Sequence, residues 1–188
     1  KDGEALGALG YGEAVWHTDM SYLPVPPIAS MLWSIRLPDW GGNTWAVSMV
    51  AAYENLPADL KERAKKLMIK HDGTRDSGGN LRKGVADDRN PKTAAGHPHP
   101  AVIRDPGSGK PALFLGRRPG AYVMGLELAE SESVLDQLWQ HAIKPSNVYE
   151  HKWTVGDVLI WSNYSTMHRR DEFDKNTVRR MHRSQIKG

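Results

Sequence analysis

The chain has 188 residues, 39% hydrophobic and 25% charged, ordinary values for one globular domain with a sizeable core. It contains no cysteine, which excludes disulfide frameworks, thiolate metal sites and cysteine nucleophiles. The net charge of +3 is small and no reading motif accompanies it, so no nucleic-acid partner is expected. No apolar run approaches the roughly 18 residues that span a bilayer, and no signal-peptide pattern is present; no membrane partner and a cytoplasmic location are expected.

The chain opens Lys1-Asp2-Gly3 without an initiating methionine and reads as an N-terminally incomplete piece. Glycine (18) and proline (12) punctuate it throughout, the pattern of short strands joined by turns. Residues 29–35 (ASMLWSI) predict a buried strand. Residues 57–68 predict a helix, with Pro57 in its first turn and Leu60, Ala64, Leu67 and Met68 on one face. The polar stretch 73–99 predicts a long mobile loop or lid with room for one short helix. Ala101-Val102-Ile103-Arg104 and Ala112-Leu113-Phe114-Leu115 flank the turn residues Pro106-Gly107-Ser108-Gly109, a hairpin. Residues 130–143 predict a second helix with Val134, Leu135, Leu138, Trp139, Ala142 and Ile143 on one face. Residues 157–161 (DVLIW) and 178–186 predict two more strands. The whole reads as a single mainly β domain over residues 1–188 with flanking helices, most simply a double-sheet jelly roll.

The sharpest local signal is Trp16-His17-Thr18-Asp19. In a strand, residues i and i+2 share a face, so His17 and Asp19 converge while Thr18 points away. Two histidines and one carboxylate on one face of an octahedron leave three positions open, the signature of non-haem iron oxygenases. An HxD alone is a weak signal. His168 supplies the third ligand, because it follows the strand ending at Trp161 and lies just before a dense basic run. The other histidines read as structural. His97 and His99 alternate with prolines in an extended strand entry. His71, His141 and His151 read as isolated surface or capped residues, and His182 as facing away from the site. In the last strand, alternation puts Arg179, Met181, Arg183 and Gln185 on one face. That face is either a solvated edge that wards off aggregation or an interior where guanidinium groups grip carboxylates bidentately. The pattern alone favours neither.

Taken together, these segments resemble the TauD/TfdA family of Fe(II)/2-oxoglutarate-dependent dioxygenases from Trp16 to Gln185. The likeness lies in the WHTD at 16–19, Gly41-Gly42-Asn43-Thr44, His99-Pro100, Trp161-Ser162-Asn163 ahead of His168, and Arg179-Arg180-Met181-His182-Arg183. The resemblance implies a double-stranded β-helix, a cupin-like jelly roll, with N-terminal strands of the relatives missing from this chain. It implies His17, Asp19 and His168 as the iron ligands and catalytic centre. Thr44 and Arg179 would hold the distal carboxylate of 2-oxoglutarate, and Arg183 would reach toward an acidic substrate. The implied reaction consumes O2 and 2-oxoglutarate, releases succinate and CO2, and hydroxylates a small organic acid. Sulfonates (as in taurine catabolism), phenoxyalkanoates and other carboxylates are the implied substrate classes. Asp19 favours hydroxylation over halogenation, because halogenating relatives leave that coordination position to a halide. Homodimers or homotetramers are common among relatives.

Gly116-Arg117-Arg118-Pro119-Gly120 is more basic than the resemblance leads one to expect. Arg117 or Arg118 is therefore a candidate substrate contact, against the plainer reading of a solvated hairpin end. Trp16 and Trp161 adjoin the metal segments and either wall the pocket or pack the core. Two other functions stay in view: a cupin-type metalloenzyme that does not use 2-oxoglutarate, and a non-catalytic jelly-roll binding module. Thr44 with Arg179 argues against the first, and the complete triad against the second.

Overall fold

A computed structural model describes residues 14–187; the expectation about strands ahead of Trp16 falls outside them. In chain order the elements are β1 (Ala14–His17), β2 (Ala29–Arg36), β3 (Thr44–Ser48), α1 (Met49–Glu54), α2 (Ala58–Ala64), β4 (Met68–Asp72), β5 (Gly96–Pro100), β6 (Val102–Arg104), β7 (Pro111–Leu113) and β8 (Tyr122–Val123). They continue with α3 (Leu128–Ala142), β9 (Val148–His151), β10 (Val158–Ser162), β11 (Thr166–Arg170) and β12 (Arg180–Ile186).

Two antiparallel sheets carry the site. One runs β1-β11-β3-β9 and the other β10-β2-β12. The chain crosses between them from β1 to β2 to β3, and again from β9 through β10 and β11 to β12. That winding is a double-stranded β-helix, so the jelly-roll expectation holds. The inner faces meet: Ser30 of β2 hydrogen-bonds Asp19, and the Trp161 ring of β10 lies 4.6 Å from the His168 ring of β11.

Strand alternation divides β11 between two environments. Met167 points outward into an apolar cluster with Val47, Leu113, Leu115, Val134, Leu135 and Leu138, all fully buried. His168 points inward. Each large aliphatic side chain so buried contributes about 1.5–3 kcal/mol, which makes the outer face of the four-stranded sheet the anchor of the fold. Helix α3 supplies that cluster because its buried residues (Ser131, Val134, Leu135, Leu138, Trp139, Ala142) recur at helical spacing. Helix α1, which the sequence reading lacks, starts where the Ser48 hydroxyl accepts a hydrogen bond from Ala51 N at 3.2 Å.

Four expectations need correction. The helix placed at 57–68 ends at Ala64; Ala101 N already donates to Leu67 O at 3.0 Å, and Met68 begins β4, so sheet pairing overrides the helical pattern. The loop placed at 73–99 ends at Gly96, where β5 begins, and holds no helix. Residues 29–35 form a central strand, yet only Ser30 and Ser34 are buried and Trp33 is 46% exposed. The serines take the inner face and Met31, Trp33 and Ile35 the outer one, a division hidden inside an apolar run. His71 is fully buried, its ring 5.0 Å from Phe114 and 5.1 Å from His99, because β4 is the middle strand of the sheet β5-β4-β8. None of the described helices is long and apolar enough to cross a membrane.

Candidate metal centre

His17 ends β1 and lies directly across from His168 of β11, so the two imidazoles face each other with centroids 4.3 Å apart. The opposite face of the same strands is pinned by a stack. The Arg169 guanidinium lies 5.5 Å from the Trp16 ring and 4.8 Å from the Trp45 ring. Asp171 accepts from Arg169 Nη1 and from Trp45 Nε1, each at 2.7 Å. The cation–π and ionic contacts hold β1, β11 and β3 in register. Trp16 therefore packs outside the barrel, while Trp161 walls the inner side against His168.

The strand stops at His17; Asp19 lies two residues on, in a turn, with Met20 at φ 52°. Its convergence with His17 therefore does not come from strand alternation. Thr18 N donates to Gly116 O at 3.1 Å, and Ser30 Oγ donates to Asp19 Oδ2 at 2.7 Å. His17 Nδ1 donates to Val15 O at 2.7 Å, which turns Nε2 toward Asp19 Oδ1, 3.6 Å away. His168 Nε2 lies 3.9 Å from the same oxygen. One ligand atom from each of His17, Asp19 and His168 falls within 4.8 Å of the others.

Burial alone would raise the Asp19 carboxyl, but His168, His17 and Arg183 around it hold it well below the usual carboxylate range. Burial pushes the His168 imidazole down to about 3. At neutral pH the site thus offers a neutral imidazole nitrogen and an anionic oxygen, the donor set that suits a divalent transition metal with open positions. The residues fit such an ion.

Nearby lies a cationic end. Arg179 Nη2 donates to Gly42 O at 3.1 Å, while its Nε is buried with no hydrogen-bond partner among the described residues. Burial first, and then the neighbouring Arg170 charge, bring Arg179 down to about 10, still charged at neutral pH. Gly42 has φ +72°, and a Cβ there would approach Arg179 Nε to 2.9 Å; both the turn and the guanidinium require glycine. Two residues on, Thr44 is buried at the start of β3 and its hydroxyl accepts from Trp153 Nε1 at 3.1 Å, leaving the hydroxyl proton for another acceptor. Arg183, half exposed on β12, puts Nη2 2.7 Å from Asp19 Oδ1.

The structure thus brings His17, Asp19, His168 and Arg183 together and sets Arg179 beside the Gly42–Thr44 corner. Arg117 and Arg118 both find acidic partners within the fold, Arg117 in the interior and Arg118 at the surface. Arg117 is buried and paired with Asp72, and Arg118 is gripped by Glu132 and Asp136 of α3 at 2.7 and 2.6 Å. Both guanidinium groups serve the fold. Ser30 and Asn163 escape the sequence reading as site residues. Their signal is faint: serines at 30 and 34 interrupt an apolar strand, and an asparagine follows Trp161.

A family model described as taurine catabolism dioxygenase TauD, TfdA family matches residues 1–185. The (S)-phenoxypropionate/alpha-ketoglutarate-dioxygenase of Sphingobium herbicidovorans is 32% identical over 192 residues, covering 100% of this chain and 67% of its own length. The alpha-ketoglutarate-dependent 2,4-dichlorophenoxyacetate dioxygenase of Burkholderia sp. is 31% identical, covering 95% of this chain and 59% of its own. The crystal structure of AAD-2 in complex with Mn(II) and N-oxalylglycine matches with a TM-score of 0.80 at 30% identity, covering 93% of this chain and 69% of that one. The chain spans about three fifths to two thirds of the length of these two curated relatives.

Proposed function

Because this chain belongs to the taurine catabolism dioxygenase TauD, TfdA family, we propose that it is the catalytic part of an Fe(II)- and 2-oxoglutarate-dependent dioxygenase that hydroxylates a small organic anion. The observation that carries this reading is the convergence of His17, Asp19 and His168 on one point between the sheets. These three residues would hold iron(II), which when bound supplies the redox activation of O2 coupled to decarboxylation of 2-oxoglutarate.

The remaining roles belong to the protein's own side chains. Arg179 and the Thr44 hydroxyl take the distal carboxylate of 2-oxoglutarate, supported by the orphaned Arg179 Nε and the spare Thr44 proton. Arg183 faces the metal group from β12 and offers its guanidinium to the acidic end of the substrate. Trp161 closes the inner wall beside His168 and excludes water there. Loop 73–95 borders the same region: Ser77 O accepts from Val15 N at 3.0 Å, and Arg82 lies 4.2 Å from the Tyr22 ring. We read it as a cover over the β1 side of the site.

Relatives named for phenoxypropionate, 2,4-dichlorophenoxyacetate and sulfate esters share an anionic substrate in which carbon is bonded to oxygen. A carboxylate or sulfate of that kind, hydroxylated beside the heteroatom, is the proposed substrate class, acted on in the cytoplasm by a homodimer or homotetramer. The test is anaerobic absorption spectroscopy of the full-length protein with iron(II) and then 2-oxoglutarate. A weak visible charge-transfer band that needs both is expected, and candidate acids are then ranked by how they perturb it. Bound iron without a band rejects the 2-oxoglutarate reading.

A further inference from the structure

The two oxygens of Asp19 have separate partners. Oδ1 faces His17 Nε2, His168 Nε2 and Arg183 Nη2. Oδ2 accepts from Ser30 Oγ at 2.7 Å, and the Ser30 side chain, on the opposite sheet, is completely buried. Ser30 is in turn held. Asn163 Nδ2 donates to Ser30 Oγ and to Pro27 O, each at 3.1 Å, and Asn163 N donates to Ile28 O at 2.8 Å. Asn163 is itself 1% exposed. A continuous line of hydrogen bonds therefore runs from the Pro27 carbonyl through Asn163 and Ser30 to the non-facing oxygen of Asp19.

We propose that Ser30, backed by Asn163, is a positioning residue that makes Asp19 a one-oxygen ligand presented at Oδ1. The inference rests on the assignment of Asp19 as a metal ligand. Asp19 lies in a turn beyond β1, so no strand ladder fixes its side chain. An O–H···O⁻ bond to a carboxylate is charge-assisted and stronger than a neutral one. Turning Oδ2 toward a metal as well would cost the buried Ser30 hydroxyl its 2.7 Å charged acceptor and leave it only the neutral Asn163 Oδ1 at 3.3 Å, which disfavours the two-oxygen mode. A carboxylate free to chelate with both oxygens would occupy a position that the 2-oxo acid end of 2-oxoglutarate needs. The relay also explains the Asn of the Trp161-Ser162-Asn163 segment, which touches none of the proposed ligands directly.

The experiment loads Co(II) onto the full-length protein and onto Ser30→Ala and Ser30→Thr, reading metal affinity and the visible d–d spectrum, with thermal unfolding recorded alongside. Ser30→Ala is expected to weaken metal binding about 10–100-fold, as loss of an outer partner does elsewhere, and to change the spectrum; Ser30→Thr, which keeps the hydroxyl, is expected to restore both. Ser30→Ala with unchanged affinity and spectrum overturns the proposal, as does a folded Ser30→Thr that recovers neither. If Ser30→Ala does not fold, Asn163→Ala reads the same relay one link back, with weakened affinity supporting it and parental affinity overturning it. Failure of the parent protein to bind Co(II) instead removes the ligand assignment itself, so the two readings fail separately.

Discussion

Asp19 is surrounded by His17, His168, Arg183 and Ser30, and among the described residues no other carboxylate joins the group. Asp19→Ala is expected to abolish iron-dependent turnover, measured as succinate release; full activity in that variant would sink the ligand assignment. On the proposed role of Arg179, Arg179→Ala removes a charge-assisted contact to 2-oxoglutarate worth about 1.5–3 kcal/mol. The 2-oxoglutarate concentration for half-saturation should rise about 10–100-fold, with metal affinity unchanged. His71 gives a pH prediction. Burial pushes its imidazole down to about 3 from an ordinary 6.5, so between those values the unfolded chain binds a proton that the folded one refuses. The stability this buried neutral ring contributes is complete above pH 6.5 and is lost as pH falls toward 3. His71→Leu should therefore lose less stability between pH 7 and pH 4 than the parent, by denaturant unfolding at both values.

At the level of elements, two adjacent arginines make a controlled comparison. Arg117 follows the β7 hairpin and meets Asp72 at the end of β4 with both side chains buried; Asp72 also accepts from Thr74 N and Thr74 Oγ1, which starts the 73–95 loop. Arg117→Ala would leave a buried carboxylate unpaired, at a cost of about 3–5 kcal/mol. Arg118 engages Glu132 and Asp136, whose side chains are more than half exposed. Arg118→Ala should cost less than about 1 kcal/mol. Urea titration of the two variants measures the difference, and equal losses would contradict the assignment of the buried pair. The same contrast shows why the sequence misleads at 116–120: charge density reads as a binding surface, whereas partners on distant elements turn it into structure.

Across the whole molecule, the sheet β10-β2-β12 turns its site-forming polar groups inward and several large apolar side chains outward. Its inner face carries Ser30, Ser34 and Arg183; its outer face shows Trp33, Val158 at 54% and Ile160 at 58% exposure. Contiguous apolar surface of this sort promotes association. The double substitution Val158→Lys with Ile160→Lys is expected to reduce concentration-dependent light scattering of this chain while leaving metal affinity unchanged. Unaltered scattering would show that the face is not the adhesive one. The inner face owes its chemistry to the opposite property, being closed by the other sheet so that polar groups there must pair with one another.

Much of this was legible in the residues themselves. The apolar periodicity of 130–143 gives α3, the turn residues 106–109 give the β6–β7 hairpin, and His17, Asp19 and His168 stand out because imidazole and carboxylate are the donors a divalent metal takes. Those signals are local, carried by spacing and side-chain type. Tertiary structure alone decided that β4 replaces the end of a predicted helix, that His71 is interior, that Arg117 answers Asp72, and that Ser30 holds Asp19 from another sheet. Each depends on residues 11 to 45 positions apart in chain order being brought together, and hydrogen bonds, burial and charge pairing across such distances leave no periodic trace in a single sequence.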